Sequence, residues 1–442
     1  MASDTPKTYR NLVIYEVFVR NHGRNGNFAD VSADLPRLKE MGVDVVWLMP
    51  IHPIGEAERK GPDGSPYAIR NYREVNPEYG TKEQFRLLCQ YAHALGLKVM
   101  IDVVYNHTSP DADLTRVHPQ WYQRDENGRF HATVPDWSDI IDLDYSSDPA
   151  LWDYQIETLK QWALLGVDGF RCDVASAVPV AFWEQSRREV AAVKPGVIWL
   201  AETVHLGFIH FRRRLGLVAH ADAEIHAAFD LSYDYDIWPE FEDAVADPDK
   251  LPAYARALWA QGAQLPSHAI KMRAVENHDQ RRIMGRARSR EQALAWTAFQ
   301  AFNEGAFLIY AGQEAEAAAT PSLFEVDKVR WGGYALQPFL TRLCQLKKDV
   351  AQVEGVFTLL TAVPALTACW QTETGGLYGI FNVADTVDTM PTPLPDGEYV
   401  DLLSERPFTV RDGETAVPDS AVVVRYDGRL DFQGHIDPTL SG

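Results

Sequence analysis

Four short segments gather the ionisable side chains that could do chemistry: Asp102 with Asn106 and His107, Arg171 with Asp173, Glu202 alone, and Asn277 with His278 and Asp279. Carboxyl groups in this number suit general acid–base and nucleophilic work, provided one is held ionised and another protonated. Arg171 stands two residues before Asp173, so on a strand both side chains point the same way and the guanidinium keeps the carboxylate charged. A single carboxylate ending a strand is commonly an ion-pair or capping residue. Three of them meeting at one mouth make a catalytic group. The histidines by themselves read as structural residues, and Tyr67 by itself as packing.

The elements that must hold these residues are legible as apolar runs. Residues 13–19, 43–49, 97–104, 167–173, 197–202, 225–230, 270–276 and 306–310 read as strands buried on both faces. Helical patterns lie between them. One opens with a Thr81–Gln84 capping box and closes before Gly96. Another follows Asp148 with Pro149 in its first turn and stops at Gly166. A third starts at Ser289, with Gln292 completing a box, and runs to Gly305. Strand–helix alternation repeated about eight times, with right-handed crossovers, predicts an α/β (β/α)8 TIM barrel, whose strand carboxyl ends carry the active site.

Two departures from a plain barrel are expected. Residues 106–147, after the third strand, are too long for an ordinary loop and form a short lid-like insertion. Its Trp121, Tyr122 and Trp137 either offer stacking surface or fasten the lid to the barrel. From residue 353 the pattern turns to alternating β segments split by PDG, RDG and YDG, which predicts a C-terminal antiparallel β-sandwich domain over 353–442 after a catalytic domain over 1–352.

Composition narrows the partners. The net charge of −20, from 62 acidic against 42 basic residues, repels phosphate backbones and anionic lipid, so neither nucleic acid nor membrane is expected. A neutral substrate fits better. The first residues lack the pattern of an export signal, no apolar run reaches membrane-spanning length, and Cys89, Cys172, Cys344 and Cys369 are widely spaced, which together predict a cytoplasmic protein without disulfides. Oligomeric state is not encoded in any readable pattern. No P-loop, no GxGxxG after a strand and no HExxH occurs, so no cofactor is expected.

Taken in order, DVVYNH from Asp102, GFRCDV from Gly169, the Glu202 of WLAET, and ENHD ending at Asp279 resemble the sequence regions of glycoside hydrolase family 13, the α-amylase family. GSPYAIRNY around Tyr67 and PDWSDIIDLDY from Pro135 are similar to two further segments. The resemblance implies a retaining enzyme cleaving α-glucosidic bonds in maltooligosaccharides or related α-glucans. Asp173 would be the nucleophile, Glu202 the acid/base, and Asp279 a carboxylate favouring the distorted sugar ring. It further implies that His107 and His278 donate to sugar hydroxyls, that Arg171 supports Asp173, and that Tyr67 stacks on the sugar. A transglycosylase shares the same first half-reaction and is the alternative. A non-catalytic carbohydrate-binding relative is the third reading, set against all three carboxylates being present.

The chain also departs from the family pattern. Ser176 and Ala177 stand where many α-amylases carry a Lys–His pair serving an acceptor subsite and a calcium ion. Ala177 has no ligand atom, and Asn106 alone does not make a hard-cation site, so no metal is expected.

Overall fold

In the computed structural model, residues 2–437 are described. Eight parallel strands close a barrel: β1 Val13–Val17, β2 Val45–Leu48, β3 Lys98–Val103, β4 Gly169–Cys172, β5 Ile198–Ala201, β6 Leu231–Tyr233, β7 Ile270–Arg273 and β8 Ala306–Tyr310. They follow one another around it in chain order. Side chains are buried at every position of β1, β2, β4 and β5, as expected for strands with helices on one side and a filled barrel on the other.

The longer helices are α1 Phe28–Met41, α2 Lys82–Ala94, α3 Pro149–Leu165, α4 Val180–Val193, α5 Leu206–Arg214, α6 Trp238–Ala246, α7 Leu251–Gln264, α8 Arg290–Phe302 and α9 Gln337–Lys347. Their punctuation is chemical. At α2 the Thr81 hydroxyl accepts from the Gln84 N–H while Gln84 Oε1 accepts from the Thr81 N–H, so two end donors are satisfied at once. At α3 Asp148 accepts from the Ala150 N–H, and Gly166, with φ of 130°, ends the helix in backbone open mainly to glycine.

Three expectations are corrected. The run 225–230 is not the sixth strand: Asp222–Ile225 forms a helical turn, and pairing begins at Leu231. A short apolar run without alternation does not distinguish strand from buried turn. Asp230 is buried there, its Oδ2 accepting from the Trp199 N–H and from Arg187. Helix α8 stops at Phe302 rather than Gly305. Its Gln292 side chain reaches back to the Arg288 N–H, one residue before the cap, so the reciprocal box does not close.

By packing, the described residues divide into two compact units, one of residues 2–5, 14–233 and 321–330, the other of 6–13, 234–320 and 331–437. In the first, the insertion is built on a short antiparallel pair, His107–Thr108 with Ile141–Asp142, extended by a bridge from Tyr122 to Leu143. In the second lies a four-stranded antiparallel sheet of β9 Val356–Thr361, β10 Leu366–Gln371, β11 Gly375–Phe381 and β16 Ala421–Asp427. Two-stranded pairs cover it: β12 Thr389–Pro391 with β15 Glu414–Ala416, and β13 Gly397–Val400 with β14 Pro407–Val410. Cys369, Tyr378, Ile380 and Val424 of the sheet share a core with Met390, Phe408 and Val410 of the pairs, which is the sandwich. The sheet's other face meets α8, where Phe299 and Phe302 pack on Phe381 and Trp370 Nε1 donates to the Phe302 carbonyl.

Candidate active site

Strand register brings the first two carboxylates together. Cys172 of β4 pairs with Ala201 of β5, so the next residues, Asp173 and Glu202, leave adjacent strands side by side. The ladder continues through them, with the Asp173 N–H bonded to the Val103 carbonyl at 2.9 Å and the Glu202 N–H to the Cys172 carbonyl at 3.0 Å. Neighbouring strands run about 5 Å apart, and that spacing is inherited by what sits at their ends.

One guanidinium then organises the group. Arg171 Nη1 donates to Asp173 Oδ1 at 2.9 Å and to Asp102 Oδ1 at 2.7 Å, while Nη2 lies 3.1 Å from Glu202 Oε2 as an ion pair without hydrogen-bond alignment. Arg171 is fully buried. Burial disfavours its charge, but Asp102 and then Glu202 outweigh that and hold its pKa well above the usual guanidinium value. Trp47, Tyr67 and Tyr233 box it in, their ring centres 5.3, 5.6 and 5.2 Å from Cζ, and its Nε donates to the Tyr233 hydroxyl. Asp102 accepts from Trp47 Nε1 on its other oxygen, so it steadies the guanidinium from below.

Glu202 is held from a second side by the backbone. Its Oε2 accepts from the Val174 N–H at 2.7 Å, and Val174 adopts left-handed backbone with φ of 41°. A β-branched residue rarely does so, and such strain gathers where a backbone donor must be aimed.

His107 leaves the end of β3 with Nε2 3.9 Å from Asp173 Oδ2. Asn106 Nδ2 donates to its Nδ1 at 3.2 Å, which assigns the ring proton to Nε2, the nitrogen on the Asp173 side. Burial pushes the imidazole pKa down against the pull of Asp142, Asp139 and Glu202, favouring the neutral ring. Tyr67 is half-buried with its hydroxyl 3.4 Å from Asp102 Oδ2. Of the insertion's aromatics, Trp121 and Tyr122 are buried fasteners, bonded to Asp148 and Thr108. Trp137 is half-buried and sits 5.9 Å from the His107 ring and 6.1 Å from Phe208 of α5.

In the second unit, Asn277 Oδ1 accepts from the Asp279 and Gln280 N–H groups, and its Nδ2 donates to the Tyr235 hydroxyl. That small turn presents Asp279, its side chain 36% exposed, with His278 Nε2 3.1 Å from Oδ2. Glu276 pins the turn's base through Arg282 and the Ile283 N–H.

With this geometry in view, comparison with known proteins identifies the family. The alpha amylase catalytic domain matches residues 13–137 and 115–328, and the bacterial alpha amylase C-terminal domain matches 361–424. This chain belongs to the alpha-amylase family. An alpha-amylase from Lactobacillus plantarum is 40% identical, covering 95% of this chain and 100% of that one, with a TM-score of 0.91. A maltogenic alpha-amylase from Thermotoga neapolitana is 31% identical over 96% and 100% of the two chains, with a TM-score of 0.83. Among curated proteins, an alpha-1,4-glucan:maltose-1-phosphate maltosyltransferase from Salinibacter ruber is 32% identical over 282 residues, 58% of this chain and 40% of that protein. The chain thus spans less than half the length of that curated relative.

Calcium, which the alpha-amylase family implies, does not suit the residues present. Asn106 spends its amide on His107 and lies 3.5 Å from Asp142 Oδ1, Asp142 Oδ2 accepts from the Thr133 N–H, and Ala177 offers nothing. Among the described residues no three His, Cys, Asp or Glu side chains are grouped to hold a metal ion.

Several residues around this alpha-amylase-type site carried no readable signal. Trp47 lies in an apolar run where nothing separates it from ordinary core, Tyr233 falls beyond the run 225–230 where the sixth strand was expected, and nothing about a valine at 174 announces left-handed backbone. Phe208 falls in the connection after Glu202, where only tertiary packing sets it beside Trp137.

Proposed function

We propose that the chain is a retaining glycosidase cleaving α-1,4-glucosidic bonds of maltooligosaccharides or related α-glucans. Asp173 attacks the anomeric carbon, Glu202 protonates the leaving oxygen and then activates water, and Asp279 supports the oxocarbenium-like ring. His107 and His278 bond sugar hydroxyls, Tyr67 lies against the sugar, and Arg171 keeps Asp173 ionised. The observation that carries the reading is Arg171 spanning Asp173 and Glu202 with neighbouring nitrogens. Carboxylates sharing one guanidinium stand on the order of 5 Å apart, the spacing of covalent rather than single-displacement chemistry. Because Glu202 Oε2 is engaged by Val174 and Arg171, the proton for the leaving group belongs on Oε1.

The catalytic part is assigned to 1–352, with the 106–147 insertion as a modest lid, and the sandwich to 353–442, in keeping with the two family matches. The proposed compartment is the cytoplasm, supported by four buried thiols without disulfide partners. No described helix is long and apolar enough to cross a membrane. The test is proton NMR of maltotriose hydrolysis, in which the first-formed sugar is the α-anomer. A β-anomer appearing first rejects the retaining mechanism.

A second reading is transfer of the glycosyl group to a sugar hydroxyl, favoured by maltosyltransferases among the curated relatives. Oligosaccharides longer than maltotriose early in the same reaction would select it.

A further inference from the structure

The insertion carries two nearly buried carboxylates towards the site, Asp139 and Asp142, 6% and 1% exposed. Both lie close enough to His107 to act on it electrostatically, in a region already holding Asp173 and Glu202. Acidic groups packed at such density need positive charge in the same neighbourhood. The first unit supplies it from two places outside the insertion. Lys60, on the loop after β2, sets Nζ 2.9 Å from Asp139 Oδ1 and 2.7 Å from the Asp136 carbonyl. Arg212, on α5, is 2% exposed, donates through Nε to the Val218 carbonyl, and sets its guanidinium carbon 6.0 Å from the ring of Phe208, which itself lies 6.1 Å from Trp137 of the insertion.

Lys60 takes a carboxylate oxygen and a backbone carbonyl, the oxygen types a hard metal cation takes. Beneath it Ile54, Ala68 and Ile140 form an apolar contact, with Ala132 and Trp137 against it, joining the same loop to the same insertion. Burial disfavours the Arg212 charge and Asp142 acts against that, so the guanidinium is tied to the insertion by the Asp142 carboxylate and by the packing of Phe208 on Trp137. We propose that Lys60 and Arg212 are positioning residues whose own charges, in place of a bound metal ion, clamp the 106–147 insertion onto the barrel and so hold His107 beside Asp173.

The test uses the whole protein and needs no substrate. The wild-type Tm is expected to be the same in a chelator and in millimolar calcium. Lys60→Met and Arg212→Met, which keep the apolar stems, are each expected to lower Tm by about 2 °C or more. Both should raise protease cleavage inside 106–147 by about fivefold or more, with the rest of the chain as resistant as before. Lys60→Arg restores both readouts. Lys60→Met combined with Asp139→Asn is less damaging than the two effects added, because the pair is lost once. A wild-type Tm that falls on chelation and returns with calcium overturns the proposal. So does additivity of the pair, or cleavage that rises equally throughout the chain.

Discussion

Val174 aims its N–H at Glu202 Oε2 over 2.7 Å from a left-handed backbone that valine seldom takes. The residue directly after the proposed nucleophile therefore orients the proposed acid/base, and one tight turn couples the two. Left-handed geometry costs a non-glycine residue roughly 1–2 kcal/mol, which the buried valine side chain offsets by packing. Val174→Gly removes the strain, the side chain and the rigidity together. Stability is expected to stay within about 1 kcal/mol of wild type while kcat falls at least about tenfold, since Glu202 loses its fixed donor. An unaltered kcat in steady-state assays would remove the turn from the mechanism.

Phe208 and Trp137 face one another 6.1 Å apart, one from the helix after Glu202 and one from the insertion. An aromatic corner whose Trp137 lies 5.9 Å from His107 suits a sugar that leaves or arrives there, because the apolar face of a sugar packs on a ring. Phe208→Ala should raise KM for maltotriose several-fold and lower the share of transfer products, with kcat on an activated aryl glucoside little changed. Product chromatography decides: an unchanged share of transfer products denies the corner this role.

Lys347 has no solvent exposure, and its Nζ donates to the Asn303 carbonyl at 3.1 Å. Burial first, then Lys348, Arg10 and Arg273, pushes its pKa well below the usual lysine range. The unfolded chain therefore holds a proton the folded one lacks between that lowered value and about 10.5, and stability rises with pH across the window. Lys347→Met removes the penalty. Urea midpoints should show a gain on the order of 1–2 kcal/mol at neutral pH and a flatter dependence towards pH 10. A loss of stability at neutral pH would contradict this.

His52 is buried against Trp162 and Tyr72, and its Nδ1 donates to the Glu74 carbonyl at 2.9 Å. Burial lowers its pKa from 6.5 to about 4. The unfolded state takes up the proton first as pH falls. The contribution of neutral His52 is therefore complete above about pH 6.5 and lost progressively down to about pH 4, an amount on the order of 3 kcal/mol. Denaturant midpoints followed between pH 7 and pH 4.5 should fall less steeply in His52→Gln than in wild type. Parallel slopes would assign the acid sensitivity elsewhere.

Much of the barrel was legible because its signals are local. Seven of the eight apolar runs contain a strand, and Thr81, Asp148 and Gly166 mark helix ends with side chains or backbone freedom that work within a few residues. The exception is instructive: five of residues 225–230 are buried, yet a helical turn ending at Ile225 and the turn that follows bury them as well as a strand would. The pairing of Arg171 with Asp173 was readable from a two-residue spacing. Its reach to Glu202 was not, because that depends on which residue of β4 faces which residue of β5.

What the chain determined by itself is the set of chemical groups and the periodicities that put them at strand ends, since composition, alternation and capping act over one or two turns. What only the tertiary structure decided is register and enclosure. The Cys172–Ala201 pairing sets two carboxylates on one guanidinium, three rings from separate strands and a loop surround that guanidinium, and a valine is forced left-handed to serve its neighbour. Those outcomes are set by long-range pairing and by the demand that buried charge be matched, and neither is expressed by any residue alone.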